Sequence, residues 1–198
     1  MTNTSATGGF LSPLSTPAPL EDQALADFFQ QYVAGITGIA GNLVRPRWQA
    51  EPPNIPQVGV TWASIGVMSR EADVFAYTEH SPAGNGSDKL QRHEIFNMLV
   101  SFYGDNADSM MSSFRDGMQI AQNREILTLN NMGLMSSEDI IAVPSIIKEK
   151  WLYRVDMRFK IKRQILRTYS VETLLSADIK LYEDTPPPGT VTDIPVTQ

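Results

Sequence analysis

The chain has 198 residues, the length of one domain with arms or of two small ones, and enough to bury a core without a disulfide or metal staple. It carries 16 Lys+Arg against 22 Asp+Glu, a net charge of -6, which excludes a polybasic binder held by bulk charge. Cys is absent and His80 and His93 are the two His, so disulfides, thiolate metal sites and a Cys nucleophile are excluded and little remains for His-based catalysis or a zinc centre.

Residues 1–19 are rich in Ser, Thr, Gly and Pro and read as a flexible N-terminal arm. Residues 184–198 read as a Pro-rich flexible C-terminal tail, because Pro186-Pro187-Pro188 favours extended geometry and blocks helix. Phe10, Leu11, Leu14 and Ile194 leave open a second reading, in which these arms order on a neighbouring subunit. The N-terminus lacks the basic start and apolar centre of a secretory signal. No run approaches the roughly 18 apolar residues of a membrane span. A soluble protein with no membrane partner is expected.

Residues 20–183 are expected to form the single folded domain. Residues 20–35 predict a helix, with Leu25, Phe28, Phe29, Tyr32 and Val33 at spacings of three and four, ended by Gly35, Gly38 and Gly41. A Pro-rich connector follows. Val58, Val60 and Trp62 alternate within an expected strand at 57–68, and Val74, Phe75 and Tyr77 mark another at 72–79. Gly84-Asn85-Gly86 predicts a loop tip. Residues 89–103 predict a long central strand with apolar groups on both faces.

Met110, Met111, Phe114, Met118 and Ala121 return to helical spacing over 106–122. A flexible Met-lined binding groove is one reading of this stripe, and core packing is the better one. The helix extends or restarts through 123–130 and stops near Gly133. The run SSEDIIAVPSIIKEKW reads as a connector broken by Pro144. Tyr153, Val155, Met157, Phe159 and Ile161 then alternate strictly with Arg154, Asp156, Arg158, Lys160 and Lys162. One face of this strand packs and the other is wet. The alternation slips near Arg163, which hints at a bulge. Residues 171–182 give a last strand. The order of helix, strands, helix, strands predicts an α+β fold: a mainly antiparallel β-sheet with helices packed on one face.

No catalytic set emerges, and no cofactor is expected. His93-Glu94 lacks the second His of a zinc-protease helix. There is no phosphate loop, dinucleotide fingerprint or nucleophile elbow. Glu138-Asp139 beside Ser136 and Ser137 is explained by helix capping.

The basic stripe differs in kind. Lys148, Lys150, Arg154, Arg158, Lys160, Lys162, Arg163 and Arg167 are half of the 16 basic residues, with Glu149 and Asp156 the only acids among them. Same-face neighbours lie about 7 Å apart, and each like-charge pair costs only about 0.6 kcal/mol in water. Buried without partners, the row would be prohibitive. Three readings stand: a solvated strand face, a face that meets an acidic neighbour, or one that meets nucleic-acid phosphates.

Several short motifs, in order, carry a resemblance. They are His93-Glu94-Ile95, Ser101-Phe102-Tyr103-Gly104, Phe114-Arg115-Asp116-Gly117, Ala121-Gln122-Asn123-Arg124-Glu125, Val143-Pro144, Trp151-x-x-Arg154-x-Asp156-Met157 and Arg167-x-Tyr169. From Trp62 to Ile179 the chain resembles the neck and tail terminator proteins of long-tailed bacteriophages, specifically the neck terminator type. The resemblance implies a non-enzymatic virion protein that assembles as a hexameric ring. That ring would cap the tail tube, end its polymerisation and join the tail to the head connector, with DNA passing through its lumen. Implied partners are further copies of the chain, the tail tube protein, the head–tail connector and neck proteins, and the tail sheath. Arg154, Arg158, Lys160 and Lys162 would face the lumen or a neighbouring subunit. The alternatives are another neck, collar or tail-tube-like subunit, a small carboxylate-based enzyme or binding protein, and a nucleic-acid-binding module. A deep pocket with convergent polar groups would favour the enzyme, and steep salt dependence the nucleic-acid binder.

Overall fold

The computed structural model describes residues 6–14, 18–49, 51, 53–57, 59–147, 150–174, 177–181 and 192–196. The expected arms therefore fall partly outside the described residues, at 1–5, 15–17, 184–191 and 197–198. The chain divides into two compact units. The larger comprises residues 16–77 and 90–166, the smaller residues 1–15, 78–89 and 167–198.

Helix α1 spans Asp22–Thr37 and buries Leu25, Phe29, Tyr32 and Val33, one stripe at helical spacing. Its end is local chemistry. Gly38 takes the left-handed conformation (φ 73°), and its N–H returns to the Ala34 carbonyl. A short 3-10 turn at Gly41–Leu43 leads into β1, Val44–Pro46, a strand inside the Pro-rich connector. β2 runs from Trp62 to Ala72, later than expected. Val74 and Phe75 lie outside any strand and are almost fully exposed, and the next strand, β3, is Tyr77–Ser81. After the turn at Gly84-Asn85-Gly86, β4 spans Ser87–Tyr103.

α2 (Ala107–Gly117) buries Ala107, Met111 and Phe114 and is followed by buried Met118. Core packing is thus the outcome for the methionine stripe. A turn separates α2 from α3, Ala121–Thr128. The expected connector after Gly133 is instead strand β5, Met132–Ala142, followed by a small hairpin of β6 (Ser145–Ile147) and β7 (Lys150–Leu152). β8 is Arg154–Tyr169. β9 (Ala177–Leu181) pairs antiparallel with β10 (Thr192–Val196).

The main sheet has the order β1-β2-β4-β8-β5, with β3 paired to β4. β1–β2 is parallel, while β2–β4 and β5–β8 are antiparallel. This is the expected α+β class, with helices on one face of a mostly antiparallel sheet. Ala63 and Ile65 of β2, Phe96, Met98, Val100 and Phe102 of β4, and Val155, Met157, Phe159 and Ile161 of β8 meet the buried stripes of the helices. Gly104 ends β4 at φ +96°, where a Cβ would stand 2.7 Å from the Val60 carbonyl oxygen. Only glycine fits there.

Tyr32 brings a polar group into this core. Its hydroxyl is buried, with no hydrogen-bond partner among the described residues. Burial pushes its pKa up to about 12 from the usual 10, with the Arg124 charge pulling the other way. A raised folded-state pKa means the contribution is intact below pH 10 and lost as pH rises from 10 towards 12. Tyr32→Phe is expected to keep or raise stability at neutral pH, since it removes an unsatisfied group. It should also flatten the alkaline fall in unfolding midpoint. An unchanged alkaline slope in chemical-denaturation curves of the variant would assign that fall to other groups.

Candidate assembly surface on the outer face of the sheet

Strand alternation sorts β8 into two rows. Val155, Met157, Phe159, Ile161, Arg163 and Ile165 face the helices and are buried. Arg154, Asp156, Arg158, Lys160 and Lys162 share the opposite face, with Arg158 and Lys162 exposed and the others half-buried. The structure thus separates two groups that the sequence placed in one stripe.

Arg154 is held in place. Its Nε and one terminal nitrogen donate to the two Asp156 oxygens at 2.7 and 2.6 Å. Those hydrogen bonds hold its pKa above the ordinary arginine value, against the opposing effect of burial and with help from Tyr103. Its guanidinium lies 5.6 Å from the centre of the Tyr103 ring, which stacks on Trp62 at 3.9 Å. Arg45 caps Trp62 from the far side at 5.0 Å and donates to the Pro53 and Asn54 carbonyls. The row Arg45–Trp62–Tyr103–Arg154–Asp156 therefore crosses β1, β2, β4 and β8. Cation–π contacts of this kind contribute about 0.5–2 kcal/mol each. They make this part of the face rigid scaffold.

Arg158, Lys160 and Lys162 make no ion pair among the described residues. The register explains two of the three, because Lys160 lies opposite Ser136 and Lys162 opposite Gly133, neither of which can pair with a cation. Glu138 and Asp139 lie on β5 where its register slips between Ser137 and Ile140, so they stand opposite no β8 residue. The result is a short cationic row with its charge directed to solvent.

Arg163 corrects the sequence reading. It is 1% exposed and lies on the core side, so it does not belong to the wet stripe. On the β5 side the pairing is in step at this point: Met132, Gly133 and Leu134 face Arg163, Lys162 and Ile161, and the register shifts only beyond Leu134. The apparent slip is a buried charge on the apolar face. Its Nη2 donates to Glu94 at 2.8 Å, Nη1 donates to the Leu20 carbonyl, and the Phe96 ring centre lies 4.6 Å away. Continuing the alternation two residues further would have found it.

The two histidines also have carboxylate neighbours. His93 Nδ1 lies 3.3 Å from Asp73. His80 lies between Asp88 at 2.6 Å and the Thr173 hydroxyl at 2.9 Å, an Asp–His–Thr order that the sequence did not suggest. The side chains of His80 and Asp88 are 41% and 28% exposed, so water screens the pair. Thr173 N–H also donates to Asn85 O, and a Cβ on Gly86 would stand 2.5 Å from Val171 O. The constellation fastens the turn between β3 and β4 to residues 171–173. No group of three or more His, Asp or Glu side chains suited to a metal ion occurs among the described residues. None of the described helices is long and apolar enough to cross a membrane.

No curated protein matches the chain. The sequence model of one family, described as phage neck terminator protein, matches residues 23–185. That span contains all but the first residue of α1, the whole main sheet, the cationic row and the Arg163–Glu94 pair, and on this match the chain belongs to the phage neck terminator protein family.

Proposed function

We propose that this protein is the subunit of a hexameric ring that caps the head-proximal end of a phage tail tube, stops its growth and joins it to the head connector. Family membership gives the coarser statement, a structural role in the phage neck or tail and hence a place in the virion. The ring would assemble in the host cytoplasm, bind the tail tube on one side and the connector on the other, and let DNA pass through its lumen. Its action is mechanical and not enzymatic.

The observation that supports a docking role is the row Arg158, Lys160 and Lys162, without an ion pair among the described residues, on a solvent-facing sheet face. Three cations held about 7 Å apart on a strand suit an acidic neighbour or a passing phosphate backbone. The net charge of -6 keeps the chain as a whole from gripping DNA.

The double variant Arg158→Glu/Lys160→Glu is expected to fold normally, with unfolding free energy within about 0.5 kcal/mol of the parent per surface substitution. It should fail to cap tail tubes in electron micrographs and should not restore infectivity to a phage lacking the protein. Normal capping and infectivity would remove the row from the function. A wild-type protein that stacks into long tubes would instead identify a tube subunit.

A further inference from the structure

β8 lies between β4 and β5 in the main sheet, but β5 does not reach its end. The β5 ladder begins at Met132 opposite Arg163. One residue beyond, Gln164 N–H donates to the Asn131 carbonyl at 2.9 Å. β8 itself continues to Tyr169. In a strand, the N–H and C=O of one residue point to the same neighbour, and every second residue repeats that direction. The backbone groups of Leu166 and Thr168 therefore point where those of Gln164 do, past the end of β5. Ile165, Thr168 and Tyr169 are residues that favour strand. Left open, a strand end of this composition is a template for another chain.

The segment before α1 stands on this edge. Leu14 bridges antiparallel to Thr168, and its N–H donates to the Thr168 carbonyl at 2.7 Å. That bond is on the side of β8 that the alternation assigns to β5. Nearer α1, the Leu20 carbonyl accepts from Arg163 Nη1, so the segment meets β8 at both ends. The residue before Leu14 is Pro13, which has no N–H to offer on the far side. The segment thus covers one edge without presenting another. A covering loop and a proline are two devices by which natural sheets blunt their edges, and here they are adjacent residues.

We infer that Pro13-Leu14 is an edge guard: it occupies the end of β8 that β5 leaves open and keeps a second copy of the chain from pairing there. Copies then meet through other surfaces. The guard belongs to the single subunit and acts whether or not the ring proposed above forms.

Leu14→Pro removes the N–H that pairs with Thr168, whereas Leu14→Ala keeps it. Native mass followed against concentration reads the consequence. Leu14→Pro is expected to add a species of twice the parent mass, with self-association about tenfold tighter, since one net hydrogen bond shifts the balance of covered and open edges by about that factor. Leu14→Ala should match the parent. Adding Leu166→Lys to Leu14→Pro places a charge on the opened edge and should restore the parent mass. Equal masses for Leu14→Pro and the parent, or association that persists in the Leu14→Pro/Leu166→Lys variant, would overturn the guard. A lowered unfolding midpoint in Leu14→Pro would assign the association to unfolding and overturn it as well.

The chain has no Cys, so a disulfide locates the segment. The Cα atoms of a hydrogen-bonded antiparallel pair lie about 5.5 Å apart, within the span of a disulfide. Oxidised Leu14→Cys/Thr168→Cys is expected to form the bond within one chain and to keep the native mass of the reduced protein. Bonds from 14 to 168 between copies would place the segment on a neighbour and overturn the guard, while leaving the ring reading in place.

Discussion

Glu94→Ala is expected to lower the unfolding free energy by about 3–5 kcal/mol, the cost of leaving a buried charge without its partner. Arg163 is 1% exposed, and its shortest ion pair is with Glu94 at 2.8 Å. Glu21, at 3.8 Å, is too distant to replace that hydrogen bond. The Leu20 carbonyl and the Phe96 ring orient the guanidinium but do not neutralise it. Urea unfolding followed by circular dichroism reads the loss. The double variant Glu94→Leu/Arg163→Met should recover most of it, because replacing a buried pair by apolar groups of similar volume is often neutral or stabilising. A loss below about 1 kcal/mol in the single variant would mean that the pair is wet in solution. Recovery in the double variant would assign the pair a role in choosing the strand register, with little net stability of its own.

Phe114→Ala is expected to cost about 3–5 kcal/mol. Its ring, fully buried on α2, lies 6.3 Å from Tyr32 of α1, 6.1 Å from Phe102 of β4 and 5.8 Å from Phe159 of β8. One side chain thus joins two helices to two central strands. In a domain of this size each kcal/mol moves the melting temperature by about 2–4 °C, so a fall of roughly 10 °C is expected by calorimetry. Leu129→Ala, at a position 78% exposed, is the control and should stay within about 0.5 kcal/mol. Equal effects at the two positions would contradict the packing described.

Legibility followed the range of the forces involved. The α1 stripe, its stop at Gly38, the loop at Gly84–Gly86 and the two-sided rows of β4 and β8 were readable because helical spacing, glycine conformation and strand alternation act within a few residues. The same local reading took 136–151 as a connector, where β5, β6 and β7 lie. Ser136, Ser137, Glu138 and Asp139 have little intrinsic preference for strand, and Ser136 and Ser137 lie in one because the backbone of β8 pairs with them. β1 is a second case, three residues ending in proline inside a Pro-rich connector, tolerated because an edge strand need not donate on its outer side.

Composition and pattern by themselves determined the α+β class, the apolar positions of α1, β4 and β8, and the wet face of β8. Motif order pointed to the family. Tertiary structure decided which cations are free. Arg154 is tied to Asp156 two residues away, whereas Arg163 meets Glu94 across 69 positions. Burial and pairing between residues far apart in the chain depend on how whole elements come together, and no local pattern records them.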